Sequence, residues 1–135
     1  MTTENRRENA RAEAALGGDA LRAAETLRDL GLTNDAVSRA YYAAFHHARA
    51  LLLTEGLEPK THQGVLALLG QRFEGPGLLG SDSVSAFARL QTFRGLADYS
   101  ARARLPSARA VEEVAAARRF VEEAQALLRA GGWID

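Results

Sequence analysis

Val37-Ser38-Arg39-Ala40-Tyr41-Tyr42-Ala43-Ala44-Phe45-His46-His47-Ala48-Arg49-Ala50-Leu51-Leu52 is the stretch whose reading decides the fold. Its apolar residues Val37, Ala40, Tyr41, Ala44, Phe45, Ala48, Leu51 and Leu52 advance by three, one, three, one, three, three and one. That rhythm keeps one face of an α-helix apolar, and a strand, whose faces alternate every second residue, cannot reproduce it. The spacing predicts a helix from Asn34 to about Glu55.

The same periodicity extends in both directions. Upstream, Leu16, Leu21, Ala24, Leu27 and Leu30 place a helix over Glu4 to Leu30, with Gly17-Gly18 as the expected kink or frayed turn. Gly31 closes it, and Thr33-Asn34-Asp35 offers capping side chains to the next helix. Downstream, Pro59 suits the first turn of a third helix running to about Phe73, before the breaker Gly75-Pro76-Gly77. Ser81-Asp82-Ser83 caps a fourth helix through about Arg104, striped by Ala86, Phe87, Leu90, Phe93, Ala97 and Ala101. Pro106-Ser107 opens a last helix whose seam is Val111, Val114, Val121 and Leu128, and Gly131-Gly132 ends it. Short connections favour antiparallel neighbours, so the expectation is an all-α, up-and-down bundle of four to five helices, a single domain over residues 1–135.

Composition narrows the function classes. Lys plus Arg and Asp plus Glu are 17 each. With no net field to attract nucleic acid, RNA contact has to come from a local patch. All the basic residues but Lys60 are Arg, a bidentate phosphate ligand, although an Ala-, Gly- and Arg-rich chain also reads as the product of GC-rich coding. There is no Cys, hence no disulfide, thiol nucleophile or Cys-ligated metal. The polar N-terminus and lack of a long apolar run predict a cytoplasmic protein with no membrane association.

Some residues stand out against this helical background. Opposite the apolar face of the second helix, Arg39, Tyr42, His46, Arg49 and Leu53 form a mixed face, suited to a subunit interface, a phosphate-binding strip or ordinary solvent exposure. His47 falls at the edge of the apolar stripe and reads as a core-rim histidine. Arg94 lies within the stripe of the fourth helix and needs a partner: Asp98 one turn on, or a phosphate in a cleft or dimer seam with Asp98 orienting it. Lys60-Thr61-His62 opens the third helix, where amides favour anions. No His-Glu-x-x-His, inward carboxylate cluster, Walker loop or dinucleotide fingerprint occurs, so neither metal nor cofactor is expected.

The run Ala40 to Leu52, then Lys60-Thr61-His62, then Arg94-Gly95-Leu96-Ala97-Asp98-Tyr99, resembles the small prokaryotic HEPN proteins in order, intervening lengths and helical pattern, over nearly the whole chain. The resemblance implies a helical bundle that often dimerises and is often encoded beside a minimal nucleotidyltransferase. Many members are metal-independent endoribonucleases, acting as toxins or defence effectors. Active relatives carry Arg, four to six residues, then His on the fourth helix. Here Arg94 matches, but Tyr99 occupies the position of the His.

Residues five apart on one helix point about 140° away from each other, so the two motif positions act jointly only if a second element, such as a dimer partner, completes the site. Arg then neutralises the scissile phosphate and His moves the proton of the attacking 2′-hydroxyl. Tyr, with an ordinary pKa of about 10, is a poor base near neutrality, and losing such help costs about 10²- to 10⁴-fold.

The expectation is therefore a homodimeric HEPN protein that binds RNA or a nucleotide through Arg94, Lys60, His62, Arg39, Tyr42 and Arg49. It would act in a toxin–antitoxin or defence pair with a nucleotidyltransferase, and its cleavage would be slow or absent. One alternative is an active ribonuclease in which His46 or His62 replaces the missing acid–base group at Arg94, Asp98 and Tyr99. Another is an interaction module docking a partner protein on its Tyr42/His46/Arg49 face. The resemblance also makes Tyr99 a candidate for silencing by adenylylation.

Overall fold

The computed structural model describes residues 2–99 and 104–135, and for 96–99 the backbone alone. Among the described residues there are five α-helices and no strand: α1 (Thr3–Asp29), α2 (Thr33–Leu53), α3 (His62–Leu69), α4 (Ser81–Tyr99) and α5 (Ser107–Ala130). A π-helical turn, Gly70–Glu74, continues α3.

Cross-helix contacts set the directions. Arg6, at the start of α1, donates to Thr54 O at the end of α2 (3.3 Å), while Glu13 meets His46, so α1 and α2 are antiparallel. α1 and α5 also run oppositely: Arg118 grips both carboxylate oxygens of Glu25 at 2.6 Å, and Arg11 reaches Trp133 O at 3.3 Å. This two-pronged bond from Arg118 is the main reason the Glu25 carboxyl lies below its ordinary range. Arg89 with Glu113, and Ser83 with Glu123, make α4 and α5 antiparallel. The four long helices thus alternate in direction, with α3 as a short bridge, which is the all-α up-and-down bundle that the periodicity predicts.

α2 is the central member, packed against all four other helices. Tyr41, Phe87 and Phe120, each 0% exposed, form an aromatic column through α2, α4 and α5 with centroid spacings of 5.8 and 5.6 Å. Burial of each such ring contributes about 1.5–3 kcal/mol, and this column joins the three helices through one packing unit.

The structure departs from the sequence expectations in ways that have physical causes. Leu53 is buried, because α2 has no fully solvated side. Val111 is half exposed, outside the buried seam of α5. Asn34 does not cap α2; its Oδ1 accepts from Leu105 N at 2.9 Å, and the residue preceding α2 is Leu32 with no side-chain cap. At the start of α4, Glu123 of α5 accepts from Gly80 N (2.7 Å) and Ser83 Oγ, a partner forty residues away. α3 starts later than Pro59 suggests: Thr61 is its N-cap, accepting from Gly64 N at 2.9 Å, so His62 is the first helical residue.

At Gly17-Gly18, where a kink or frayed turn is expected, α1 runs on as one continuous helix. Gly17 serves an approach instead: a Cβ there would lie 2.3 Å from His47 Nδ1 and 3.0 Å from Ala43 O. His47 is not at the rim but fully buried; its Nδ1–H donates to Ala43 O (2.8 Å) and its Nε2 accepts from Gln125 Nε2 (3.3 Å). Both ring nitrogens are therefore satisfied by the neutral imidazole. Burial, aided by the neighbouring His46 and opposed by the bond to Ala43, lowers the His47 pKa below its ordinary value near 6.5.

The unfolded chain then protonates before the native one, so this contribution to stability is complete above about pH 6.5 and declines as pH falls below it. His62, lowered in the same direction, adds to the loss. Thermal unfolding across pH 5–8 is expected to give a plateau above about 6.5 and a falling Tm below it; a flat profile would contradict the account.

Candidate functional site

Tyr41 is the residue on which the site is built. Its ring is buried among the α2 and α4 aromatics, and a buried phenol needs a partner for its hydroxyl. That partner is His62 Nδ1, brought into place by the Thr61 cap that starts α3 there. The imidazole stacks on Phe45 (4.5 Å between centroids) and lies parallel to Tyr41 (5.7 Å).

Guanidinium groups cover the outer faces of these rings. Arg94 of α4 lies 5.6 Å from the Tyr41 centroid and 5.1 Å from that of Tyr42. Arg39 stands 4.9 Å from Tyr42, and Arg49 5.7 Å from Phe45. Each is within cation–π range, so the rings hold three positive charges at one surface. Arg49 is also paired through Nε with Glu13 Oε1 at 3.2 Å.

The two histidines of this region differ in chemical role. Burial first, then Arg94 and Arg49, lower the His62 pKa, so its imidazole is neutral at neutral pH. Burial pushes the Tyr41 phenol upward against the pull of Arg94, so it keeps its proton and donates to His62 Nδ1. The ring proton of His62 then sits on Nε2, which makes that nitrogen a donor. His46 is the reverse. Its Nδ1 lies 2.7 Å from Glu13 Oε2, a carboxylate that can only accept, so Nδ1 carries a proton, and in the neutral ring the acceptor is Nε2.

Of the residues singled out in the sequence, Arg94, Tyr42, Arg39, Arg49, His46 and His62 gather around the Tyr41–Phe45 rings. Lys60 stands exposed ahead of α3. The side chains of Asp98 and Tyr99 lie outside the described residues, as does the proposed Arg94–Asp98 pairing. Among the described residues, no group of three or more His, Asp or Glu is placed to hold a metal ion, and no helix is long and apolar enough to cross a membrane.

Tyr41, Phe45 and Glu13 are components that the sequence did not single out. The first two looked like ordinary core positions, although a buried Tyr always carries a hydroxyl to satisfy. Glu13, thirty-three residues from His46, left no local signal.

Fold and site together define an all-α bundle protein with a cationic, aromatic cluster at one surface of its central helix. The chain belongs to the HEPN domain family, whose profile matches residues 16–133. It is 39% identical over 94 residues to "Putative toxin MJ0605" of Methanocaldococcus jannaschii, covering 70% of each chain. It is 34% identical over 97 residues to a UPF0332 protein of Archaeoglobus fulgidus, covering 72% of this chain and 77% of that one. "Putative toxin MJ0142" of Methanocaldococcus jannaschii matches at 36% over 81 residues, 60% of this chain and 55% of the relative.

Proposed function

We propose that this HEPN protein binds the phosphates of RNA or of a nucleotide at the Arg94 cluster, works as a homodimer, and is the toxin-like member of a pair with a minimal nucleotidyltransferase. The observation that carries the reading is the setting of Arg94, laid against Tyr41 and Tyr42 beside the Tyr41–His62 pair. A phosphate there would meet a guanidinium fork and the Nε2–H of His62, with Arg49 adding to the field. The rings hold these groups in place before the ligand arrives, which limits the entropy lost on binding. Kinship with proteins named as toxins supports the toxin side of the pair.

The test is binding of a fluorescent single-stranded RNA in EDTA, followed by anisotropy. Arg94→Ala is expected to weaken affinity about ten- to a hundredfold, the value of one charge-assisted phosphate contact. Unchanged affinity in a variant that melts like wild type would overturn the reading. Sedimentation of the purified chain tests the homodimer, and co-purification with the product of a neighbouring nucleotidyltransferase gene tests the pair.

One observation favours a second reading, that of a metal-independent endoribonuclease. The Glu13–His46 contact occupies Nδ1, so in the neutral ring the acceptor is Nε2, on an imidazole whose centroid lies 6.2 Å from that of Tyr42. That is the state a general base needs, and His62, whose Nδ1 is taken by Tyr41, does not offer it. Metal-free cleavage leaving cyclic phosphate ends, lost in His46→Ala, would establish this reading. Intact RNA at high protein concentration would dismiss it.

A further inference from the structure

A groove of about 450 Å³ between α1 and α2 opens beside the Arg94 cluster, and Tyr42 borders both. Its α1 wall carries Leu16, Ala20 and Ala23, and its α2 wall Arg39, Tyr42 and His46. Leu16 is 53% exposed, an apolar side chain left uncovered next to a cationic surface. Apolar side chains on one wall and a guanidinium–aromatic pair on the other suit a flat ring, because bases stack on aromatic and Arg planes alike.

From this we infer that the groove is a nucleobase subsite, holding one base of the strand whose phosphate rests at Arg94, and that Asp19 selects for bases bearing an exocyclic amino group. The inference rests on the RNA-binding reading above. Continuity names the occupant: a groove that shares Tyr42 with a phosphate cluster is where the adjacent base of the same strand would fall.

The polar groups of the groove supply the selectivity. Asp19 lines it, with Arg22 holding Oδ1 and Oδ2 left to accept. His46 also lines it, and in its neutral form, with Nδ1 donating to Glu13, its Nε2 is a second acceptor. Two acceptors favour a donor-bearing edge. The N4 amino group of cytosine gives Asp19 a donor, whereas uracil puts a carbonyl oxygen in the same place, against a carboxylate. Adenine and guanine also carry amino donors; the cytosine–uracil comparison isolates this contact at constant ring size.

The experiment uses fluorescein-labelled hexamers of oligocytidylate and oligouridylate with the intact chain, in EDTA at one salt concentration. The wild type is expected to bind oligocytidylate about tenfold more tightly. Asp19→Asn is expected to erase or reverse that preference, since its amide can donate to the uracil oxygen. Asp19 is 68% exposed and its bond is an i, i+3 surface pair, so this variant keeps the fold.

Arg94→Ala is expected to weaken both oligomers equally. Equal wild-type affinities, or a preference that survives Asp19→Asn, would overturn the subsite; sensitivity of both to Arg94→Ala would then leave the RNA-binding reading standing. Failure of the wild type to bind either oligomer would overturn both.

Discussion

Arg89→Ala is expected to cost about 3 kcal/mol of stability although it removes a partly exposed side chain. Arg89 Nε donates to both carboxylate oxygens of Glu113, at 3.0 and 2.8 Å. Glu113 is only 2% exposed, so the substitution leaves a carboxylate buried without its cation. Breaking such a pair from one side typically costs about 3–5 kcal/mol, far more than the pair itself contributes. The lower end applies because the Arg89 side chain is 39% exposed and Arg109 and Arg119 border the same depression.

The double change Arg89→Met with Glu113→Leu is the control. It removes both charges, and most of the lost stability should return. Denaturant titration of the two variants checks the pair. A loss below about 1 kcal/mol in Arg89→Ala would mean that solvent reaches the carboxylate after all.

Gly17→Leu is expected to be at least as damaging, for a steric reason. Even a Cβ at this position would lie 2.3 Å from His47 Nδ1 and 2.5 Å from Cε1. His47 cannot withdraw, since it is fully buried and bonded to Ala43 O and Gln125. α1 has to lift from α2, or the imidazole has to give up its bonds. Overpacking costs about 1–3 kcal/mol, and a buried polar group left unsatisfied a similar amount again.

Even Gly17→Ala should be net destabilising, despite the roughly 1 kcal/mol by which alanine favours a helix over glycine. Thermal melts should show Tm lower by more than about 5 °C for the leucine variant. Pairing Gly17→Ala with His47→Ala should restore part of the alanine variant's loss. A stable Gly17→Leu would show that the approach of the two helices is not tight.

The all-α class and the order of the helices were legible because they depend on the spacing of apolar residues, which is local. Val37 to Leu52 steps as a helix whatever surrounds it. The centrality of α2 is less visible, since a wheel sorts residues into two faces while four helices pack around α2; Leu53 falls on the outward side of the wheel and is buried in the fold. The start of α2 is hidden for a related reason. Asn34 has the right chemistry for local capping, yet its side chain accepts from Leu105. Competition between near and distant partners is settled by the tertiary fold.

The candidate site was legible as a set of residue types and not as a geometry. Arg94 stood out because a guanidinium in an apolar stripe is unusual, and it does lie against buried rings. The different roles of His46 and His62 were invisible, because each depends on what occupies Nδ1: Glu13 from α1 in one case, Tyr41 from α2 in the other. Gly17-Gly18 looked like a flaw in α1, and Gly17 is instead the clearance that admits His47.

The central position of α2 also divides the surface into parts with different freedom to change. Tyr41 and Phe45 belong at once to the site and to the core, so altering either disturbs the packing of the whole bundle. Asp19 on α1 and Lys60 ahead of α3 are exposed and can be exchanged at little structural cost. Under the proposed reading, recognition can be retuned from the rim, generation by generation, while the grip at the centre stays as it is.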